Sequence, residues 1–111
     1  MKILIVEDEV MLRGYYRMIL EAEGHTVIEA SDGREALIMH GEKPEFQLVD
    51  LELPIMNGLD YLSTLKEQDK LIPTLICTGY LENSDMFEVL RKPFNKKALL
   101  EKIERVLDEE E

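Results

Sequence analysis

Three acids, a threonine and a lysine stand out because each comes at or just beyond the end of an apolar run. Glu7 and Asp8 follow "KILIV" (2–6), Asp50 closes "EFQLVD" (45–50), Thr78 follows "PTLIC" (73–77), and "VLRKPF" (89–94) presents Lys92. If those runs are neighbouring strands, three carboxylates meet at one edge. Each pair about 4 Å apart would then cost on the order of 4 kcal/mol at an effective dielectric near 20. A cation therefore belongs among them. Mg2+ fits, because it takes one or two carboxylates, keeps waters and shares the rest of its shell with phosphate oxygens. The cluster has no histidine or cysteine, which disfavours zinc. Lys92 adds a mobile positive charge suited to a carboxylate or a phosphoryl oxygen. Thr78 offers a hydroxyl donor, and Gly79 leaves room beside it. Such parts form an electrostatic cradle for a phosphoryl group, and an aspartate can itself accept that group.

The elements that must position these groups follow from the hydrophobic pattern. "KILIV" is short, β-branched and without alternation, as a strand covered on both faces reads. From Val10 to Glu23, Leu12, Tyr15, Tyr16, Ile19 and Leu20 recur at helical spacing, and Gly24 supplies a stop. "HTVIEA" (25–30) predicts a second strand, and "SDGREALIMHGE" (31–42) a capped short helix ending near Gly41. A third strand over 45–50, a third helix over 59–67 and a fourth strand over 73–77 come next. A fifth strand at about 87–91 and a helix over 96–110, with Leu99, Leu100, Ile103, Val106 and Leu107 on one face, complete the chain. Strand alternating with helix predicts an α/β fold, a parallel sheet with helices on both faces. In such sheets the site lies beyond the carboxyl ends of the strands, where strand order reverses.

Composition narrows the partners. The 111 residues suit a single domain over 1–111, and 45% apolar residues argue against disorder. With 24 acidic and 13 basic residues, a formal charge of −11 would repel nucleic acid and anionic membrane, and favours metal cations and basic protein patches. The single cysteine, Cys77, lies in an apolar run and cannot form an internal disulfide, so a reducing cytosol fits. No stretch reaches the roughly 20 apolar residues that span a bilayer, and "MKILIVEDE" is too short and too acidic for a signal peptide. A soluble cytoplasmic protein is expected. Glu9 is expected to be a favourable charge at a helix start, His25 and His40 structural or exposed, and the methionines packed in helices, with Met86 and Phe87 the ones open to exposure.

Taken in order, "ILIVEDE", "LVDLELPIMNG", "ICTG" and "RKPF" resemble the receiver domain of bacterial two-component response regulators over residues 2 to 107. The resemblance implies a flavodoxin-like, doubly wound five-stranded sheet of order 2-1-3-4-5. It implies that Asp50 is the phosphoacceptor, that Asp8 ligates Mg2+ directly, that Glu7 acts largely through water, and that the Glu52 backbone carbonyl completes the ligands. Thr78 and Lys92 would hold the phosphoryl oxygens, and the Lys92–Pro93 peptide would be cis. The donor would be a histidine kinase or histidine phosphotransfer protein, and the readout a downstream protein yet to be identified. Two rivals stand beside this: an interaction module of the same fold that needs no phosphorylation, and a Mg2+-dependent phosphohydrolase with an aspartyl intermediate. The hydrolase, of the kind resembling the haloacid dehalogenase type, wants a second aspartate two residues after its nucleophile as acid/base; Glu52 occupies that place, and the chain has no room for a cap domain.

Two departures from the family's pattern are visible. Lys92 comes only 14 positions after Thr78, leaving 79–86 for a crossover, so the fourth helix is expected to be absent or one turn around 83–87. Val89 stands three residues before the lysine, where receivers usually carry an aromatic that reports on the threonine, so readout must take another route. A thinner cover over strands four and five would leave an apolar patch for a partner or for a homodimer. Glu52 and Tyr80 stand where family members tune dephosphorylation. No output domain accompanies the motifs, so DNA binding by these residues is not expected.

Overall fold

A computed structural model describes residues 1–80 and 84–109. In chain order the elements are β1 (Lys2–Val6), α1 (Val10–Ala22), β2 (Thr26–Ala30), α2 (Gly33–Met39), β3 (Phe46–Val49), α3 (Gly58–Glu67), β4 (Thr74–Thr78), β5 (Glu88–Arg91) and α4 (Lys96–Glu109), with a 3-10 turn at His40–Glu42. All strand pairs are parallel, in the order β2-β1-β3-β4-β5, so order reverses between β1 and β3. This is the flavodoxin-like sheet expected from the motifs.

Successive strand residues point to opposite faces, and both faces are covered. Ile3 and Ile5 of β1, with Phe46, Leu48, Leu75, Cys77 and Leu90, pack against Tyr16, Ile19 and Leu20 of α1 and Leu99, Ile103 and Val106 of α4. Leu4 and Val6, with Val49, Ile76 and Val89, pack against Ala36 of α2 and Tyr61, Leu62 and Leu65 of α3. That double burial is why the strands read as unbroken apolar runs.

The helix ends follow local chemistry. After α1, Gly24 takes φ +90°, which lets its N–H reach Glu21 O at 3.0 Å and the His25 N–H reach Leu20 O at 3.1 Å. Asp32 caps α2 by accepting from the Glu35 N–H at 2.7 Å, and Asn57 caps α3 by accepting from the Asp60 N–H at 2.9 Å.

The methionines correct one expectation. Met11 and Met18 are 83% and 62% exposed on α1, while Met39 and Met56 are packed against the core; Met86, set apart in the expectation as open to exposure, is 56% exposed. The cause is the helix's own period: Leu12, Tyr16, Ile19 and Leu20 face the sheet, which turns 11, 15 and 18 outward.

Between β4 and β5 the described residues 79–80 and 84–87 are bends and irregular chain, with no helix. Residues 81–83, which include part of the segment expected to hold at most one turn, lie outside the described residues. The five-stranded sheet thus carries four α-helices among the described residues, two on each face.

Candidate functional site

Sheet hydrogen bonding delivers the acids to one place. Glu7 N–H donates to Ala30 O and Asp50 N–H to Val6 O, both at 3.0 Å, so each acid is still registered on a neighbouring strand. Glu7, Asp8 and Asp50 each offer a carboxylate oxygen within 4.8 Å of the others. Glu7 and Asp50 are buried, at 2% and 6% exposure, while Asp8 is exposed. Lys92 reaches in from beyond β5, its Nζ 2.8 Å from Glu7 Oε1 and 3.1 Å from Asp50 Oδ2. Its own N–H donates to Thr78 O at 2.8 Å, and the Lys92–Pro93 peptide is cis. Thr78 is fully buried at the end of β4, with its Oγ1 accepting from the Tyr80 N–H at 3.4 Å. The three acids and Lys92 therefore meet, and Thr78 stands beside them at the end of β4, tied to Lys92 through its carbonyl. The Glu9 carboxylate is not part of the cluster; the residue takes the N-cap position of α1 without a side-chain capping bond, and its backbone N–H donates to Glu7 Oε2 at 3.1 Å.

The loop after Asp50 is held by close approach. The Glu52 N–H donates to Asp50 Oδ1 at 3.2 Å. At Gly58 an added Cβ would lie 2.3 Å from Asp50 O, and at Gly33 one would lie 2.4 Å from Met56 O. Glycine lets α3 and α2 press against the loop on both sides. Between them Met56 N–H bonds Pro54 O at 2.7 Å around Ile55, whose φ is +67°. A β-branched residue in that region is strained by about 1–2 kcal/mol, and Ile55 is 77% exposed.

Electrostatics show an incomplete cluster. Burial pushes the Glu7 carboxyl above the usual carboxylate range; the bonds from Lys92 and the Glu9 N–H work against that, and the charge of Asp50 adds to it. Burial works to lower the Lys92 ammonium, and its contacts with Glu7 and then Asp50 outweigh that, leaving it raised. One ammonium against three carboxylates leaves the group formally two charges negative. Hard oxygen donors with an uncompensated charge and one exposed acid fit Mg2+. At the rim, the nearby Glu52 carboxylate pushes the Tyr80 hydroxyl up. Directly under the site, burial pushes the Cys77 thiol up to about 12, in keeping with an inert core residue.

The sequence reading missed Arg13. Its Nη1 donates to Glu7 O at 2.9 Å and its Nε to Glu29 Oε1 at 2.8 Å. The available signal was a lone basic residue one turn into an otherwise apolar helix start, with a glutamate inside the next strand.

The chain matches the response regulator receiver domain family over residues 3–104. It is 32% identical to the alkaline phosphatase synthesis transcriptional regulatory protein SphR of Synechococcus elongatus, covering 96% of this chain and 48% of that protein. It is 30% identical to the chemotaxis protein CheY of Halobacterium salinarum, covering 96% of each. A CheY-like receiver domain protein from Methanospirillum hungatei JF-1 superposes with a TM-score of 0.85 at 31% identity, over 97% of this chain and 94% of that one. The chain spans about half the length of SphR and of the PhoP regulators it matches. No described helix is long and apolar enough to cross a membrane.

Proposed function

The chain belongs to the response regulator receiver domain family, the phosphoacceptor signalling domains of two-component systems, and we propose that its acceptor is Asp50. The observation that carries this is Lys92 Nζ bridging Glu7 and Asp50, a cation at the acceptor carboxylate, with the buried Thr78 at the end of the neighbouring strand β4. The Asp50 oxygen beside Lys92 attacks the phosphorus of a phosphohistidine. A P–O bond forms as the P–N bond breaks, and the imidazole leaves with the electron pair. Lys92 and Thr78 then hold phosphoryl oxygens, while the Glu52 N–H keeps the other Asp50 oxygen in place. Glu7, Asp8, Asp50 and the Glu52 carbonyl would hold Mg2+, which supplies charge neutralisation at the phosphoryl oxygens when bound. The same cradle assists hydrolysis of the aspartyl phosphate. The donor is a cytoplasmic histidine kinase or histidine phosphotransfer protein, and the modified surface is read by a downstream protein.

The test is intact mass after incubation with Mg2+ and acetyl phosphate. Wild type should gain one phosphoryl group and Asp50→Asn none; an adduct on Asp50→Asn would sink the assignment. A second reading, an interaction module independent of phosphorylation, is favoured by Val89, which lies buried where a reporting aromatic would stand. It predicts no adduct with any donor. Rapid multiple turnover of varied phosphomonoesters would instead indicate a hydrolase.

A further inference from the structure

Arg13 lies outside the residues assigned above, yet its side chain ends on the main chain of the site. The Glu7 carbonyl it bonds belongs to the peptide joining Glu7 to Asp8. The plane of that peptide sets the direction in which the Asp8 side chain leaves the backbone. Glu29 is set by sheet register: it pairs with Ile5, two residues before Glu7 on the adjacent strand. Its Oε1 accepts from Arg13 Nε at 2.8 Å, and its Oε2 is taken by Arg17 Nη1. Arg13 N–H also bonds Glu9 O at 2.9 Å, so the turn from β1 into α1 is closed at both its main chain and its side chain.

We propose that Arg13 is a positioning residue for the metal-holding acids, fixing the Glu7–Asp8 peptide while Glu29 keeps its guanidinium off the acids themselves. This rests on the reading that Glu7, Asp8 and Asp50 hold Mg2+. A guanidinium is a permanent cation whose fork matches a carboxylate. Bonded at Glu7 O, it is one residue along the chain from Asp8. Unrestrained, it would pair with that exposed carboxylate and compete with a metal for it. Glu29 offers a competing carboxylate on the far side, and Arg17 holds that glutamate in turn.

Calorimetric Mg2+ titration of the unphosphorylated protein tests this without any phosphodonor. Arg13→Ala is expected to weaken Mg2+ binding about tenfold, at the low end for loss of a group that orients ligands. Glu29→Gln should weaken it comparably, and the double variant should be no weaker than the worse single one, because Glu29 acts through Arg13. Arg13→Lys should recover only part of the loss, since one ammonium cannot serve both oxygens in the fork's geometry. At saturating Mg2+ the acetyl phosphate reaction of Arg13→Ala should return to near the wild-type rate, a split that mere loosening of the fold would not produce. Unchanged Mg2+ affinity in Arg13→Ala, or additive losses in the double variant, overturns the proposal. If Arg13→Ala does not fold, unchanged affinity in Glu29→Gln overturns it. Wild type failing to bind Mg2+ would overturn the underlying site reading as well, whereas wild type and variants binding alike would overturn the role of Arg13 alone.

Discussion

At the amino ends of β3 and β4, polar groups run in an unbroken chain. His40 Nε2 lies 2.6 Å from the Tyr61 hydroxyl, which donates to Gln47 Oε1; Gln47 Nε2 donates to Thr74 Oγ1 at 2.9 Å, and that hydroxyl to Ile72 O at 2.8 Å. Because the tyrosine proton goes to Gln47, His40 must carry its proton on Nε2. At the carboxyl ends of β1 and β3, three carboxylates gather, and one lysine bonds two of them, Glu7 and Asp50. Both clusters are largely buried, but one is neutral and closed while the other is charged and open. A closed network holds a fold in place. An open one leaves interaction capacity that an ion or a phosphoryl group can take up, and that is the physical difference between a polar core and a site.

The comparison can be broken at either end. Gln47→Ala should have the largest effect, about 3 kcal/mol of lost stability from a cavity plus two broken hydrogen bonds. Urea unfolding measures it, and Mg2+ affinity should not move; a parallel loss of metal binding would show that the ends are coupled. The carboxyl end should respond to metal instead. At a hundredfold excess over its dissociation constant, Mg2+ should add about 2.7 kcal/mol to wild type, seen as a raised melting temperature that Asp8→Asn largely lacks.

Two buried tyrosines sharpen the contrast on a smaller scale. Tyr61→Phe removes a hydroxyl from the closed chain and should cost about 1–2 kcal/mol. Tyr16, on the α1 face, has a buried hydroxyl with no hydrogen-bond partner among the described residues. Tyr16→Phe should therefore be neutral or gain up to about 1 kcal/mol. Equal losses in the two variants would refute the distinction. In the loop after Asp50, Ile55→Gly should add about 1 kcal/mol by relieving positive-φ strain, partly offset by glycine's extra freedom when unfolded.

The smallest effect is a pH dependence at the closed end. Burial holds His40 below its ordinary 6.5, with Lys70 adding to that and the Gln47 contact opposing it. Between that lowered value and 6.5 the unfolded chain binds more protons than the folded one. This contribution to stability is therefore complete above 6.5 and is lost as pH falls through the lowered value. Urea midpoints of wild type minus His40→Asn should decline across that window; a flat difference would remove His40 from the network.

Much of this was legible before any coordinates, for a physical reason. Strand ends and helix periods are local, so "KILIV", "EFQLVD" and "PTLIC" locate Asp8, Asp50 and Thr78 at strand ends, and the parallel α/β rule brings those ends together. The short interval from Thr78 to Lys92 likewise announced a crossover without room for an ordinary helix. Gln47 was passed over, although a lone amide in an apolar strand asks for a buried partner, and His40 gave no hint of Tyr61, which is 21 residues away.

The amino-acid sequence by itself determined which groups stand at the strand ends, and with them the family and the kind of chemistry. Tertiary structure alone decided that Lys92 bridges Glu7 and Asp50, that Arg13 is tied to both Glu7 and Glu29, and that Tyr61 closes a polar chain while the Tyr16 hydroxyl has no hydrogen-bond partner among the described residues. Residue type and local spacing specify what a side chain can donate or accept. Which partner it meets depends on strand register and helix packing, and those are properties of the whole fold.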